Sequence, residues 1–418
     1  MRIGSMRGAS QVVVCLCVLG VGCDGDGKIG VDGTSCGPGT HEVAGQCVLD
    51  GADDTDAAGG SDTDGSGSDT DGGADSDVPE GAITVCAEGS ADWSELQDAV
   101  DASRDGDTIA LCPGTYAYVQ ISGKTLTIVG TAGRSRTTIA GVKAHPAVLV
   151  DTSRLTLSGV SLTGVIEASS ATASLSVTSA TVTFEQGRVA GVRGGAFDGT
   201  LIGASDSDLT LDDVVVEDNS FRGVGLSQDA GTLHVSHTIW TGTTAASGAA
   251  PMIFYISNTA VIIANNLIYN NEVGYHAFRV LDPVAGSKIT NNTWHGDTRV
   301  SGSTAHPFEV DLNGDPVFTN NIVEASTNCS GIRSAETHPV NMTYNLSYGH
   351  DAGVDFSFDG SSTHNVIVDP KFVDAAHGDF HLAPDSPARG TGNPSNAFDN
   401  IDGSRSDLGA FGGPGGQW

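Results

Sequence analysis

Four ionisable side chains stand in two neighbouring repeats of this sequence, at positions where they could meet on one surface. His276 and Arg279 belong to one repeat, and Glu309 and Asp311 belong to the next. Abstraction of a proton beside a uronate carboxylate requires a strong base and a partner that stabilises the resulting anion. If the chain cleaves such a polymer, Arg279 is the candidate base, and Glu309 or Asp311 is its metal or substrate partner. The alternative is that all four are ordinary surface residues on strands.

A second candidate is an acidic cluster, which contains Asp206, Asp208, Asp212 and Asp213. Glu185 lies one repeat earlier and is predicted to be in register with Asp212. Because stacked carboxylates repel each other, either a cation such as Ca²⁺ lies between them or both are solvated. The sequence therefore predicts either a calcium site or a solvated acidic surface.

Both candidates must be positioned by a repeating scaffold. A phrase of alternating apolar residues recurs at intervals of 24 to 29 residues, as in Leu126-Thr127-Ile128 and Leu155-Thr156-Leu157. Each phrase is too short to bury its own apolar face, so it must stack on its neighbours. The sequence predicts an all-β parallel β-helix of about nine or more coils.

A repeat position that follows the alternating apolar phrase can be tracked from coil to coil. It is occupied in turn by Gly130, Gly159, Gln186, Asp213, His237, Asn266, Asn292, Asn321 and Asn345. Parallel stacking places like residues over like, so the four asparagines are expected to form a ladder of side-chain amides. We interpret this ladder as structural. A sugar-binding row of asparagines is the alternative.

The first coil needs a lid, because it would otherwise expose an apolar end. Residues 92–104 are predicted to form a capping helix, with Asp92 and Glu95 in a variant of the capping box. Cys86 and Cys112 flank this helix and are expected to form a disulfide, and a second one is expected between Cys36 and Cys47.

The N-terminal part is predicted to export and tether the chain. Residues 1–22 are a signal peptide of the lipoprotein type, and Cys23 is the residue expected to carry the lipid. The alternative is ordinary cleavage of the signal. Residues 23–49 form a small Cys-containing segment, and residues 50–80 form a disordered acidic linker rich in Ser, Asp, Thr and Gly. The β-helix with its cap follows over 81–365, and a C-terminal cap region covers 366–418.

The charge balance restricts the partners. With 19 basic and 51 acidic residues, the chain is not expected to bind nucleic acid or anionic membranes. Membrane contact is expected only through an N-terminal lipid anchor, and the chain is expected to be a monomer. The predicted location is the bacterial outer membrane or cell surface, or otherwise the periplasm or the medium.

Three C-terminal motifs carry a family resemblance. VDPKFVD at 368–374, GDFHLAPDSP at 378–387 and DGSRSDLGAF at 402–411 resemble the C-terminal region of bacterial proteins called choice-of-anchor Q. DGDTI at 105–109 and PGTY at 113–116 are similar to the right-handed parallel β-helix, or pectin-lyase-like, superfamily. The resemblance implies a right-handed solenoid and an exported location. It implies no particular activity, because one fold can carry enzymes as well as inert stalks.

Two functions from different classes follow as predictions. The favoured one is a surface-tethered β-helix with a binding or display role toward extracellular polysaccharide or envelope material. The alternative is a polysaccharide lyase or glycoside hydrolase of the pectin-lyase-like superfamily. No cofactor is required by the first, and Ca²⁺ would serve the second.

Overall fold

The protein falls into two compact units, 1–72 and 73–418. The structure is a computed structural model that describes residues 40–43, 46–49, 78–86, 91–143, 145–166, 172–194, 199–246, 251–274, 277–300, 308–310, 316–328, 331–334, 342–351, 356–357 and 363–418. In the first unit, Thr40–Val43 and Gln46–Leu49 pair as an antiparallel hairpin.

The second unit is a solenoid whose coils contribute strands to three parallel sheets. The first sheet contains Ile83–Val85, Thr108–Leu111, Thr125–Gly130, Arg154–Ser158, the start of Thr181–Ala190, the middle of Thr200–Glu217, the end of Val224–Ser236, Ala260–Ala264, Lys288–Thr290, Val317–Thr319 and Met342–Thr343. The second sheet contains Gly114–Ala117, Thr137–Ala140, Ser161–Thr163, the ends of Thr181–Ala190 and Thr200–Glu217, Ile239–Thr241, Leu267–Tyr269, Thr293–His295, Ile322–Glu324 and Leu346–Tyr348. The third sheet contains Val119–Ser122, Val148–Asp151, Thr172–Thr178, the starts of Thr200–Glu217 and Val224–Ser236, Met252–Ser257, Phe278–Leu281, Phe308–Val310, Ile332–Ser334 and Phe356–Ser357.

Short strands extend some coils beyond the second sheet. They are Val165–Ile166, Arg193–Gly194, Ser220–Phe221 and Thr244–Ala245 in one group, and Glu272–Val273 with Thr298–Arg299 in another. Near the C-terminus, Phe372–Asp374 and Asp379–Leu382 form an antiparallel hairpin around the 3₁₀ turn Ala375–His377. A second 3₁₀ turn spans Asn396–Phe398.

Register along the first sheet follows the repeated phrase. Leu126 pairs with Leu155, which pairs with Val182, and the inward side chains are buried. Nine first-sheet strands, from Thr125–Gly130 to Met342–Thr343, make eight turns. The prediction of a right-handed parallel β-helix with a repeat near 27 residues is confirmed.

Stacked apolar side chains fill the interior. Trp240, Phe254, Phe278 and Trp294 form one chain of tilted and edge-to-face rings, with centroids 4.9 to 5.8 Å apart. Trp240 and Trp294 are both buried in this core, where their rings fill the space between strands.

The capping helix is shorter than predicted and spans Leu96–Ala102. Asp92 does not cap it. Its carboxylate instead accepts hydrogen bonds from the backbone N–H and hydroxyl of Thr84, because Trp93 forms a β-bridge with Val85 and keeps this segment extended. Lys124 Nζ donates to the carbonyls of Val100, Asp101 and Ser103 and so binds the helix C-terminus. Among the described residues, no helix is long and apolar enough to cross a membrane.

A disulfide joins Cys86 to Cys112 across 26 residues of sequence and ties the helix segment to the second coil strand. A loop of this length stabilises the fold by about 3 kcal/mol in the chain-entropy view. The side chains of Cys23, Cys36 and Cys47 lie outside the described residues, so the lipid site and the second disulfide remain predictions.

The position that the sequence followed as one row is two rows in the structure. Gln186, Asp213 and His237 adopt positive φ angles of 48° to 53° at the corner between the first and second sheets. In the later coils this corner position is occupied by Asn265, Asn291 and Asn320, with φ of 55° to 64°. The row followed in the sequence had instead used the residue after each of them. Asparagine tolerates this left-handed conformation better than most residues, which explains the recurring Asn-Asn pairs.

The second asparagine of each pair points inward and forms the ladder. Asn266 Nδ2 donates to Asn292 Oδ1 at 2.9 Å, and the same contact joins Asn292 to Asn321 and Asn321 to Asn345 at 3.0 and 3.1 Å. Each accepting Oδ1 also accepts a hydrogen bond from the backbone N–H of the asparagine whose side chain donates to it. The ladder continues to Asn365, which the repeat pattern did not include.

The C-terminal region covers the side of the later coils. Phe380 is buried against Leu267 and Ala410, and its ring lies 4.9 Å from that of Tyr269. Asp402, Arg405 and Asp407 lie close together in sequence but bind different partners. Arg405 donates to the carbonyls of Gly392 and Thr391, while the two carboxylates accept backbone N–H groups of Ser404 and Gly390.

Candidate functional site

The acidic cluster is distributed around one coil. Asp206 is exposed at a corner, and Asp208 accepts a hydrogen bond from Thr232 on the first sheet. Asp213 lies at the next corner, where Arg134 Nη1 approaches its Oδ1 to 2.9 Å. Asp208 and Asp212 face outward from the same strand but stand four residues apart, about 13 Å along it, and the corners direct Asp206 and Asp213 elsewhere.

The structure therefore does not bring Asp206, Asp208, Asp212 and Asp213 into one group. Within the part of the chain that is described, no set of three His, Cys, Asp or Glu side chains is arranged to hold a metal ion. The predicted register of Glu185 with Asp212 is confirmed, since the two residues pair directly across neighbouring coils.

Two of the candidate lyase residues, Arg279 and Glu309, lie on neighbouring strands of the third sheet. Arg279 is half-buried on the strand Phe278–Leu281, and Phe278 pairs with Phe308, which places the backbone of Glu309 beside it. Glu309 in turn pairs with Arg333 in the next coil. His276 and Asp311 lie outside the described residues. For Glu309 and Arg333 only the backbone register is described.

A groove lies between the outer face of the first sheet and the C-terminal segment, and we call it the first-sheet groove. Its volume is about 410 Å³. Four successive coils supply its floor, and a corner together with the C-terminal segment supplies its wall. The lining residues are Thr183, Glu185, Thr210, Asp212, His234, Ser236, His237, Ala264, Asn265 and Gly415.

The floor of the groove is ordered by the pleat. Thr183, Thr210 and His234 stand in register on adjacent coils, and Glu185, Asp212 and Ser236 form the parallel row two residues further along. Thr127 and Thr156 continue the first row toward the N-terminal coils. Neighbouring strands are about 4.8 Å apart, so hydroxyl, carboxylate and imidazole groups repeat at that interval.

Asp212 organises one side of the groove. Its Oδ1 accepts hydrogen bonds from Ser236 Oγ at 2.7 Å and from His237 Nδ1 at 2.7 Å. The other ring nitrogen of His237 lies 3.1 Å from the carbonyl oxygen of Gly415. Both partners of the ring are acceptors, so both contacts are hydrogen bonds only when each ring nitrogen carries a proton. Serine and histidine compete for one carboxylate oxygen, which is not the relay of a nucleophilic triad.

Sequence reasoning found Glu185 and Asp212 but missed His234, Ser236, His237 and Gly415. The alternation of the first-sheet phrase already places His234 and Ser236 on the outer face, so these two were accessible from sequence. His237 and Gly415 were not, because they are 178 residues apart and meet only when the C-terminal segment folds back.

Comparisons with known proteins identify no family. No family model matches the chain, and no curated protein matches it. Among solved structures, pectate lyase Pel9A has a TM-score of 0.31 and 13% identity, over 79% of this chain and 96% of that one. An alginate lyase from Paenibacillus sp. str. FPU-7 has a TM-score of 0.31 and 14% identity, over 67% of this chain and 98% of that one.

A third similar structure is the catalytic unit of a thermostable GH87 alpha-1,3-glucanase from Streptomyces thermodiastaticus strain HF3-3. Its TM-score is 0.23 and its identity 12%, over 69% of each chain. Similarity at this level says nothing about the activity of this chain. The class defined by the structure itself is the right-handed parallel β-helix.

Proposed function

We propose that this protein is a non-catalytic β-helix that binds an extended polysaccharide along the first-sheet groove. The observation that supports this best is the pair of registered rows on the groove floor, Thr183, Thr210 and His234 beside Glu185, Asp212 and Ser236. Their interval of about 4.8 Å is close to the length that one sugar ring adds to an extended chain. Each ring can therefore meet a pair of polar side chains at the corresponding position of one coil.

The groove chemistry suits a polyhydroxylated ligand. Hydroxyl, carboxylate and imidazole groups between them donate and accept hydrogen bonds with sugar hydroxyls. The net charge of −32 favours a neutral polymer over a polyanion. Ca²⁺ is not part of this proposal.

The location is part of the same proposal. A lipidated Cys23 followed by the acidic segment 50–80 would hold the β-helix away from the bacterial surface as a monomer. The motifs at 368–374, 378–387 and 402–411, with their resemblance to choice-of-anchor Q proteins, fit an exported protein. Intact-mass measurement of the membrane-extracted protein tests the lipid at Cys23.

Removing a groove side chain should weaken polysaccharide binding. For His234→Ala we expect about fivefold weaker binding, the effect of losing one hydrogen bond of about 1 kcal/mol. The measurement is affinity electrophoresis through gels that contain neutral or acidic polysaccharides. The matched control is Asp229→Asn, which changes an exposed residue of the third sheet and should leave the mobility shift unchanged. Equal weakening in both variants, or no retardation by any polymer, would reject the proposal.

A second candidate function is a polysaccharide lyase. It is favoured by the register that aligns Arg279, Glu309 and Arg333 on consecutive coils of the third sheet. Incubation of the full chain with uronate polymers, with and without Ca²⁺, should then produce the absorbance of unsaturated sugars. Arg279→Lys should abolish that absorbance while His234→Ala should not. A chain that yields no unsaturated product from any uronate polymer is not a lyase.

A further inference from the structure

The C-terminal segment is fastened to the corner asparagines. Asn265 Nδ2 donates to the carbonyls of Ala410 and Gly412, both at 2.8 Å, and Asn291 Nδ2 donates to that of Asp407 at 3.1 Å. Gly415 lies so close that a Cβ atom there would be 2.6 Å from Asn265 Oδ1. The chain therefore crosses the corner in direct backbone contact and reaches the edge of the first-sheet groove.

Residues 413–418, which we call the strap, end on His237. Gly415 offers its carbonyl oxygen to His237 Nε2, and the Trp418 ring lies 5.7 Å from the imidazole ring. Trp418 also stacks on Phe411 at 5.4 Å and donates through Nε1 to Ala410. Gly415 lines the groove, so the position of the strap determines how open the groove is on that side.

The hydrogen bonds of His237 require two protons on its ring. A neutral imidazole has one N–H group. That proton stays on Nδ1, because an Nδ1 lone pair facing the Asp212 carboxylate would be repelled by it. Nε2 then presents a lone pair to the carbonyl oxygen of Gly415. That contact changes from a hydrogen bond into a repulsion between two acceptors.

We propose that the strap is a pH-dependent cover of the first-sheet groove, held in place by the imidazolium of His237 and loosened when His237 loses its proton. Histidine changes its charge between about pH 5 and 8. The groove is therefore narrower in acid and more open at neutral to alkaline pH. The regulatory meaning of this cover rests on the proposed binding function of the groove, but the motion of the strap does not.

Other ionisable groups surround this contact. From the first sheet these are Asp212, Glu185 and His234, which line the same groove. From the C-terminal hairpin they are His381, whose ring stacks on Phe411 at 3.8 Å, and Asp379, which holds His381. Because His381 also contacts the aromatic residues under the strap, it is the control that the test requires.

Acrylamide quenching of tryptophan fluorescence measures the exposure of Trp418. The full chain carrying Trp93→Phe is used, because Trp240 and Trp294 are buried and only Trp418, 37% exposed, then reports on solvent access. Between about pH 5 and about pH 8 the quenching constant is expected to rise by about two- to threefold as the ring becomes freely accessible.

In the same background, His237→Gln should give one quenching constant at both pH values, while His381→Gln should keep the rise. Quenching that does not depend on pH, or a rise that survives His237→Gln, would overturn the inference. So would a rise that only His381→Gln removes. Polysaccharide binding is measured separately at both pH values. A strap that responds to His237 in a chain that binds no polysaccharide supports the strap and rejects the proposed function.

Discussion

Replacing Asp297 with asparagine is expected to raise the free energy of unfolding by roughly 2–4 kcal/mol at pH 8, and to change it little at pH 4. Asp297 is 3% exposed, at a corner position where the preceding coil has Asn271. Burial raises the pKa of Asp297 to about 7, although the hydrogen bonds from Asn271 and the nearby His295 act in the opposite direction.

The direction in which stability changes with pH follows from proton binding. Between about pH 4 and 7 the folded chain holds a proton on Asp297 that the unfolded chain has released, so stability falls as pH rises through this window. Above pH 7 the folded chain must bury a carboxylate. Asparagine has the same shape, keeps an oxygen for the Asn271 N–H groups and carries no charge. The replacement therefore removes the loss of stability at high pH.

Urea denaturation of both proteins across this pH range measures the difference. The matched control is Asp229→Asn, because hydrogen bonds from Asn258 and Ser257 lower the pKa of that exposed carboxyl. This control should therefore bring no gain at pH 8. An equal gain from Asp297→Asn at pH 4 and pH 8, or a loss at pH 8, would contradict the burial of an ionisable Asp297.

The second large effect is expected at Asn321, in the middle of the ladder. Its Oδ1 accepts from the backbone N–H and the side-chain Nδ2 of Asn292, and its Nδ2 donates to Ile289, Thr319 and Asn345. The residue is fully buried. Asn321→Ala leaves several of these groups without partners and without water, so a loss of about 3–5 kcal/mol is expected.

Thermal and urea unfolding measure this loss, with Asn396→Ala as the control. Asn396 is exposed at the start of a 3₁₀ turn, and its replacement should cost less than about 0.5 kcal/mol. If Asn321→Ala lowers the free energy of unfolding as little as Asn396→Ala does, the ladder does not stabilise the later coils.

The solenoid was predictable from sequence because its contacts repeat. Each side chain meets the residue one coil away, so a repeat near 27 residues and a period-two alternation encode most of the core. The strands, the Glu185–Asp212 register and the asparagine run are of this kind. Asp92 was misread as a helix cap because its competing partner, Thr84, comes from the first strand and not from the helix itself.

The two asparagine rows show the limit of reading one position along the repeats. Coil lengths vary, so a shift of one residue between His237 and Asn266 cannot be seen in the sequence. This shift of one residue decides whether a side chain points inward or outward, because the corner residue has a left-handed backbone conformation and its neighbour does not. Only the backbone of the folded corner separates His237 from Thr238, which is the true neighbour of Asn266 in the ladder.

Sequence alone therefore determined the fold class, the position of the coils and the pairing of neighbouring strands, since these depend on periodic local patterns. The tertiary structure decided which polar groups meet. Asp212, His237 and Gly415 form one wall of the first-sheet groove although the last is separated from the others by about half of the second unit. No period encodes that contact, because it arises from the path of the C-terminal segment, which crosses the corner asparagines and buries them.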